Sequence, residues 1–327
     1  MKPAFSVIFL TTLIGAGQGL FLAQFGAEML VFFSLQTDGA THSELLAGAI
    51  ISLGLLVLGL FASFFHLGHP ERAWRAAAMW RTSWLSREVI ALPSTMASIF
   101  CYALVLYARP DAVAITLASG KDIPLFIAIG GFACITIFAL FICTSMIYAC
   151  LKFLRQWHSP LTVCNFFLMG SASGCTMAAV VGLYFGSGNT RFYLGCAVFF
   201  TLLAGVSRWC SLIRNKRLRS ASTLQSATGI HHPTIRQMAQ GAMGGSFNTR
   251  AFIHTYTAPI VKLARRYFLT AAFLLPLVLL FLIDPSSDSF GLALAAFLIQ
   301  YSGLVVERWY FFIEAEHPQN VYYQAIS

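Results

Sequence analysis

Long apolar runs separated by short polar stretches dominate the chain. Eight windows of about 20 mostly apolar residues lie roughly over 5–27, 45–66, 88–108, 124–148, 161–185, 192–213, 267–283 and 289–312. Each is long enough to cross a hydrocarbon layer as a helix, the form that pairs every backbone group within its own segment. The pattern predicts an all-α integral membrane protein: one membrane domain over 1–327, built as an eight-transmembrane-helix bundle. The seventh window is short and contains Pro276, so a kink or an earlier start is expected there. The first exceeds the length of a signal h-region and lacks an A-x-A-like cleavage site, and reads as a retained helix. No internal repeat is visible.

Composition agrees. Apolar residues make up 58% and charged residues only 10%, and mean hydropathy is +0.74. A soluble domain carries roughly a quarter charged residues, so a water-soluble enzyme is excluded, and disorder with it. Charge sets the orientation. Eighteen of the 21 Lys and Arg fall at the termini and alternate connections on one side; only Arg109, Lys121 and Arg191 fall on the other. The positive-inside rule places both termini and the basic loops in the cytoplasm. The net charge of +9 is mainly a topology signal, and no basic domain with interleaved aromatics points to nucleic acid. The largest extramembrane piece is a basic cytoplasmic loop, 209–266, between helices six and seven. Its first part (Arg214, Lys216, Arg217, Arg219) suits a lipid headgroup surface.

Polar residues inside apolar runs are costly and therefore informative. Gln24 and Glu28 in helix one share a face. Glu28 reads either as a proton-path carboxylate or as an interfacial residue beyond a span ending near Phe25. Gly15, Gly17 and Gly19 resemble part of a dinucleotide fingerprint, but they lie within an apolar helix and Leu20 replaces the third glycine. Together with Gly170 and Gly174 they read as close helix packing. Eight scattered cysteines without a C-x-x-C pair read as small core residues. They offer no iron–sulfur or zinc site. Only His66 of the eight histidines touches a span, which argues against haem between helices. His66 and His69 alone do not complete a metal site.

The densest polar cluster lies where helix two ends and helix three begins: F-H-L-G-H-P-E-R-A-W-R over Phe65–Arg75, then S-W-L-S-R-E over Ser83–Glu88. His66, Arg87 and Glu88 are candidates for holding a polar headgroup at the membrane edge. Because neighbours on a helix point about 100° apart, Arg87 and Glu88 cannot both serve one contact unaided. Helix eight ends E-R-W-Y-F-F-I-E-A-E-H-P over Glu307–Pro318. Glu307, Phe311 and Glu314 share a face. Acidic groups at a helix C-terminus oppose its dipole, so a cation such as Arg308 or a basic loop must hold them. Arg208 ends helix six on the same side. All these groups fall at one depth, and the sequence leaves the midplane nearly bare.

These stretches resemble the membrane-anchor subunit of the dimethyl sulfoxide reductase family. The resemblance rests on H-L-G-H-P-E-R-A-W (His66–Trp74), S-W-L-S-R-E (Ser83–Glu88) and F-N-T-R-A-F (Phe247–Phe252, after Gly244 and Gly245). E-R-W-Y-F-F-I-E-A (Glu307–Ala315), followed by Tyr322 and Tyr323, completes it. It spans nearly the whole chain and is similar to the longer branch, which includes anchors of cytoplasmic sulfite dehydrogenases. Where the family usually has Arg–Glu, this chain has Arg250–Ala251.

The resemblance implies a non-catalytic anchor in a bacterial inner membrane, without haem or iron–sulfur cluster of its own. It implies an iron–sulfur subunit and a molybdopterin catalytic subunit as partners, and a quinone (ubiquinone or menaquinone) bound near the docked cluster. By motif, His66 matches the quinone contact, with Arg87 and Glu88 beside it. Arg208, Glu307, Arg308 and Glu314 are further quinone-site or docking candidates. Because tunnelling is short-ranged, the cytoplasmic placement of the motifs puts the partners on that face, as suits sulfite oxidation. A quinol-oxidising sulfoxide reductase anchor is the alternative. A transporter would show repeats and broken midplane helices, which the sequence does not.

Overall fold

The computed structural model describes residues 4–36, 39–65, 67–116, 122–218, 223–235, 257–285 and 289–317. His66, the Phe247–Phe252 motif with Gly244 and Gly245, and Tyr322 and Tyr323 lie outside the described residues.

Among the described residues eight long helices follow in order: α1 (Phe5–Phe32), α2 (His42–Phe64), α3 (Trp84–Ala108), α4 (Leu125–Ala149), α5 (Pro160–Phe185), α6 (Thr190–Arg217), α7 (Ala258–Leu282) and α8 (Phe290–Glu314). All are long and apolar enough to cross a membrane. Local chemistry sets their ends. Thr41, Ser83 and Ser159 accept hydrogen bonds from the first-turn amides of α2, α3 and α5, groups that otherwise lack partners. Gly186, at φ +62°, closes α5 in the left-handed region that glycine occupies without strain. Ile8 near the start of α1 packs with Phe311 and Phe312 near the end of α8. The first and last helices therefore meet at the same end of the bundle.

The all-α architecture holds, and the structure adds detail to it. A short antiparallel pair, β1 (Val113–Thr116) and β2 (Asp122–Pro124), joins α3 to α4. Helix α1 runs to Phe32 rather than ending near Phe25, so Glu28 lies inside it. Helix occupies both margins of the 209–266 segment, since α6 reaches Arg217 and α7 starts at Ala258. The irregularity expected at Pro276 appears as a π-helical turn over Thr270–Leu274. Proline has no N–H for the carbonyl four residues back, and a wider turn accommodates the lost bond.

Helices α1 and α5 are the most enclosed. They cross at glycines, as the small-residue pattern suggests. A Cβ on Gly19 would strike the backbone of Gly170, and one on Gly174 would strike the backbone of Gly19. The opposite faces of the outer helices expose Ile50, Leu58, Phe61, Phe100, Phe132, Ile135, Phe199 and Val206. Such a belt exceeds what a soluble monomer shows and suits lipid.

The interior is not bare at mid-helix. Gln300 of α8 accepts from Thr176 of α5 at 2.7 Å and donates to Thr201 of α6 at 2.9 Å. Gln18 donates to the Ile137 carbonyl at 3.2 Å, and Ser52 to the Gly17 carbonyl at 2.8 Å. These residues are neutral and mutually bonded. They tie helices together at modest strength, typically below about 2 kcal/mol each.

Candidate functional site

The connection from α2 to α3 carries a 3₁₀ helix over Pro70–Met79 with Trp74 and Trp80 exposed. His69, Glu71 and Arg72 form a solvent-facing ion cluster. Arg87, in the first turn of α3, turns back to this loop. Its Nε donates to the Trp80 carbonyl and its Nη2 to the Arg81 carbonyl, both at 2.8 Å. Its guanidinium lies 4.2 Å from the Trp84 ring centre, a cation–π contact. Glu88 points the other way. It is buried in the bundle, where Thr144 Oγ1 of α4 donates to its Oε1 at 2.6 Å. The divergence of adjacent helical residues is realised: one anchors the loop, the other enters the interior.

A second polar group joins α6 and α8. Arg208 pairs with Glu307 at 2.7 Å and Glu314 at 3.2 Å, and Arg308 pairs with Glu307 at 2.8 Å. Arg208, Glu307 and Arg308 are all buried. Isolated charges at this depth would be prohibitively costly, but here two cations face two carboxylates. The cation required near Glu307 is therefore supplied twice, by Arg308 and also by Arg208. Both arginines lie within helices, so they belong to this network rather than to the loop charges that orient the chain. Removing them from the count leaves the charge asymmetry intact. Aromatic rings complete the enclosure: the Arg308 guanidinium sits 4.0 Å from the Phe166 ring centre, and Trp157 donates to the Phe311 carbonyl at 2.9 Å.

Between the two groups lies a cavity lined by Thr11, Thr12 and Gln18 of α1, Thr144 of α4, Met169 and Ser173 of α5, and Arg308. Its volume is about 30 Å³, room for about two waters. Arg308 Nη2 contacts the Met169 sulfur at 3.0 Å, whereas its buried Nη1 has no hydrogen-bond partner.

Over residues 1–323 the sequence matches the family described as DMSO reductase anchor subunit, DmsC. The chain belongs to the DmsC family of membrane anchors. It is also similar to a sulfite dehydrogenase subunit of Allochromatium vinosum, with 47% identity over 330 aligned residues covering all of both chains.

In this DmsC-family chain the sequence-derived candidates divide. Arg87 and Glu88 occupy the α3 edge, and Arg208, Glu307, Arg308 and Glu314 form one network. Glu28 stands apart with Glu44, which the sequence reading missed. Glu44 is fully buried and accepts from the Tyr193 hydroxyl at 3.1 Å. Its sequence signal was the capping pattern T-H-S-E from Thr41, which predicts a surface helix start and so conceals burial against α6. Thr144 was missed as well, because nothing in an apolar run marks which hydroxyl meets a carboxylate on another helix. Among the described residues no group of three or more His, Cys, Asp or Glu is placed to hold a metal.

Proposed function

We propose that this chain is the quinone-reactive anchor of a molybdopterin oxidoreductase complex in a bacterial inner membrane. It would exchange electrons between a docked iron–sulfur subunit and the quinone pool, with sulfite oxidation as the source. The observation that carries the reading is Glu88: a buried carboxyl group lying directly beneath a basic, tryptophan-rich loop at the membrane edge. Full-length similarity to a sulfite dehydrogenase subunit favours sulfite over sulfoxide chemistry. The mutual satisfaction of the mid-helix polar groups gives no support to a transporter.

A quinone headgroup would sit at the α3 edge, between Arg87 on the loop side and Glu88 on the interior side, with His66 as the contact matched by motif; the internal cavity has room for about two waters only. When bound, quinone supplies a two-electron, two-proton acceptor, so that sulfite, water and quinone give sulfate and quinol. Arg87 or His66 donates a hydrogen bond to a carbonyl oxygen, a contact that strengthens as negative charge builds there. His66 is suited to proton donation near neutral pH, and Glu88 holds or relays the next proton.

His66→Ala and Glu88→Gln are expected to lower quinone-linked turnover of the assembled complex by about 100-fold or more. Dye-linked oxidation by the partner subunits, which bypasses this chain, should persist. Normal quinone turnover in both variants rejects the site. Orientation is checked separately. Reporter fusions in the Pro70–Met79 connection and at the C-terminus should read cytoplasmic, and fusions at 109–124 should read external. The reverse pattern would move the partners to the other face.

A further inference from the structure

The cavity between the two polar groups is the strongest feature that the quinone site leaves unused. At one side Arg308 presents a buried Nη1 without a hydrogen-bond partner. At the other, Thr144 lines the cavity and donates to Glu88 Oε1 at 2.6 Å. Thr11, Thr12, Gln18 and Ser173 supply further polar lining. The cavity, about 30 Å³ in volume, sets these hydroxyls, the Gln18 amide and Arg308 among apolar neighbours such as Phe141, Phe166 and Leu304, and several polar partners around such a space allow it to hold ordered water. Behind Arg308, the ion pairs continue through Glu307 and Arg208 to Glu314, which is 12% exposed near the end of α8. Polar groups thus run from the bundle end, across the cavity, to Glu88.

We propose that this cavity holds a short chain of waters that returns protons to Glu88 through the Thr144 hydroxyl. The inference rests on the quinone-site reading of Glu88. After Glu88 gives a proton to the reduced headgroup, Thr144 passes its own hydroxyl proton to the Glu88 oxygen and takes another from a cavity water. Arg208 and Arg308 stay protonated and pass no proton themselves; a proton taken up from solvent at Glu314 moves to the Glu307 carboxylate beside it on Arg208, and Glu307 hands it to the cavity water and regains its charge. Arg308 orients the first water through Nη1. Its charge and that of Arg208 are balanced by Glu307 and Glu314, so the cavity stays polar without a net charge that would repel protons. Electrons come from the docked iron–sulfur subunit, and each proton delivered matches one electron transferred.

Two measurements test this on the purified complex. A density map that resolves waters elsewhere should show ordered water within hydrogen-bond distance of Arg308 Nη1 and of Thr144; an empty cavity overturns the proposal. Thr144→Val, equal in size but without the hydroxyl, should slow quinone-linked turnover about tenfold or more. Dye-linked activity and the KM for quinone should not change, and Thr144→Ser should restore the rate. Wild-type turnover in Thr144→Val overturns the relay alone. Equal loss in the Val and Ser variants also overturns it, since that marks a structural role. If Thr144→Val does not assemble, the water map and Thr144→Ser decide. If the wild-type complex fails to reduce quinone at all, the anchor reading falls and the relay falls with it.

Discussion

Arg208→Met lowers the stability of the folded chain by about 3–5 kcal/mol, the cost of breaking a buried ion pair from one side. In the native bundle Arg208 neutralises Glu307 at 2.7 Å and Glu314 at 3.2 Å. Methionine fills much of the same volume, so packing is largely preserved and the effect is electrostatic. Glu307 keeps only Arg308, at 2.8 Å, and one carboxylate charge is left uncompensated. Pairing the change with Glu314→Gln should recover most of the loss, because the carboxylate left without a partner is then neutral and Glu307 keeps its pair with Arg308 at 2.8 Å. Thermal unfolding of the detergent-solubilised protein measures both. A single variant as stable as wild type would mean the network contributes nothing to the fold.

Gly174→Leu is expected to prevent the bundle from forming. The Cβ alone would collide with the backbone of Gly19, and a backbone, unlike a flexible side chain, cannot move aside. Overpacking where neighbours adjust costs about 1–3 kcal/mol; here α1 and α5 must separate. Because these two helices are the most enclosed, their separation disrupts contacts on every side. Gly131→Ala is the matched control. Its Cβ meets nothing within 4 Å, and alanine is a better helix former by about 1 kcal/mol, so it should be neutral or mildly stabilising. Yield of monodisperse protein after membrane extraction distinguishes the two, and normal recovery of Gly174→Leu would show that the crossing is looser than described.

The sequence made the eight spans legible because lipid imposes one strong rule, a run of apolar residues long enough to pair its own backbone. It located the charged groups by depth for the same reason. It could not say which of them meet. Arg208 and Glu307 are 99 positions apart, and no periodicity links α6 to α8. Nor could it anticipate Thr144 or the bonded trio Thr176, Gln300 and Thr201, since single hydroxyls and amides barely alter hydropathy. The close glycine packing was readable as a tendency, but the pairing of Gly19 with Gly174 was not. Glu28 was uncertain from sequence because span ends are set by caps and neighbours; α1 continues to Phe32, placing Glu28 within the helix and near enough to Glu44 to interact electrostatically.

The ion network also constrains how the chain is made. Arg208 enters the bilayer with the sixth span, while both of its carboxylate partners arrive only with the eighth. Until then an unpaired guanidinium sits in the lipid phase, at an insertion cost of about 2.5–3.5 kcal/mol near a helix centre and less toward its end. The pairing of Arg208 is therefore complete only once the last helix is in place. A chain truncated before Phe290 would retain that exposed charge, a mark by which membrane proteases could distinguish incomplete copies from finished ones.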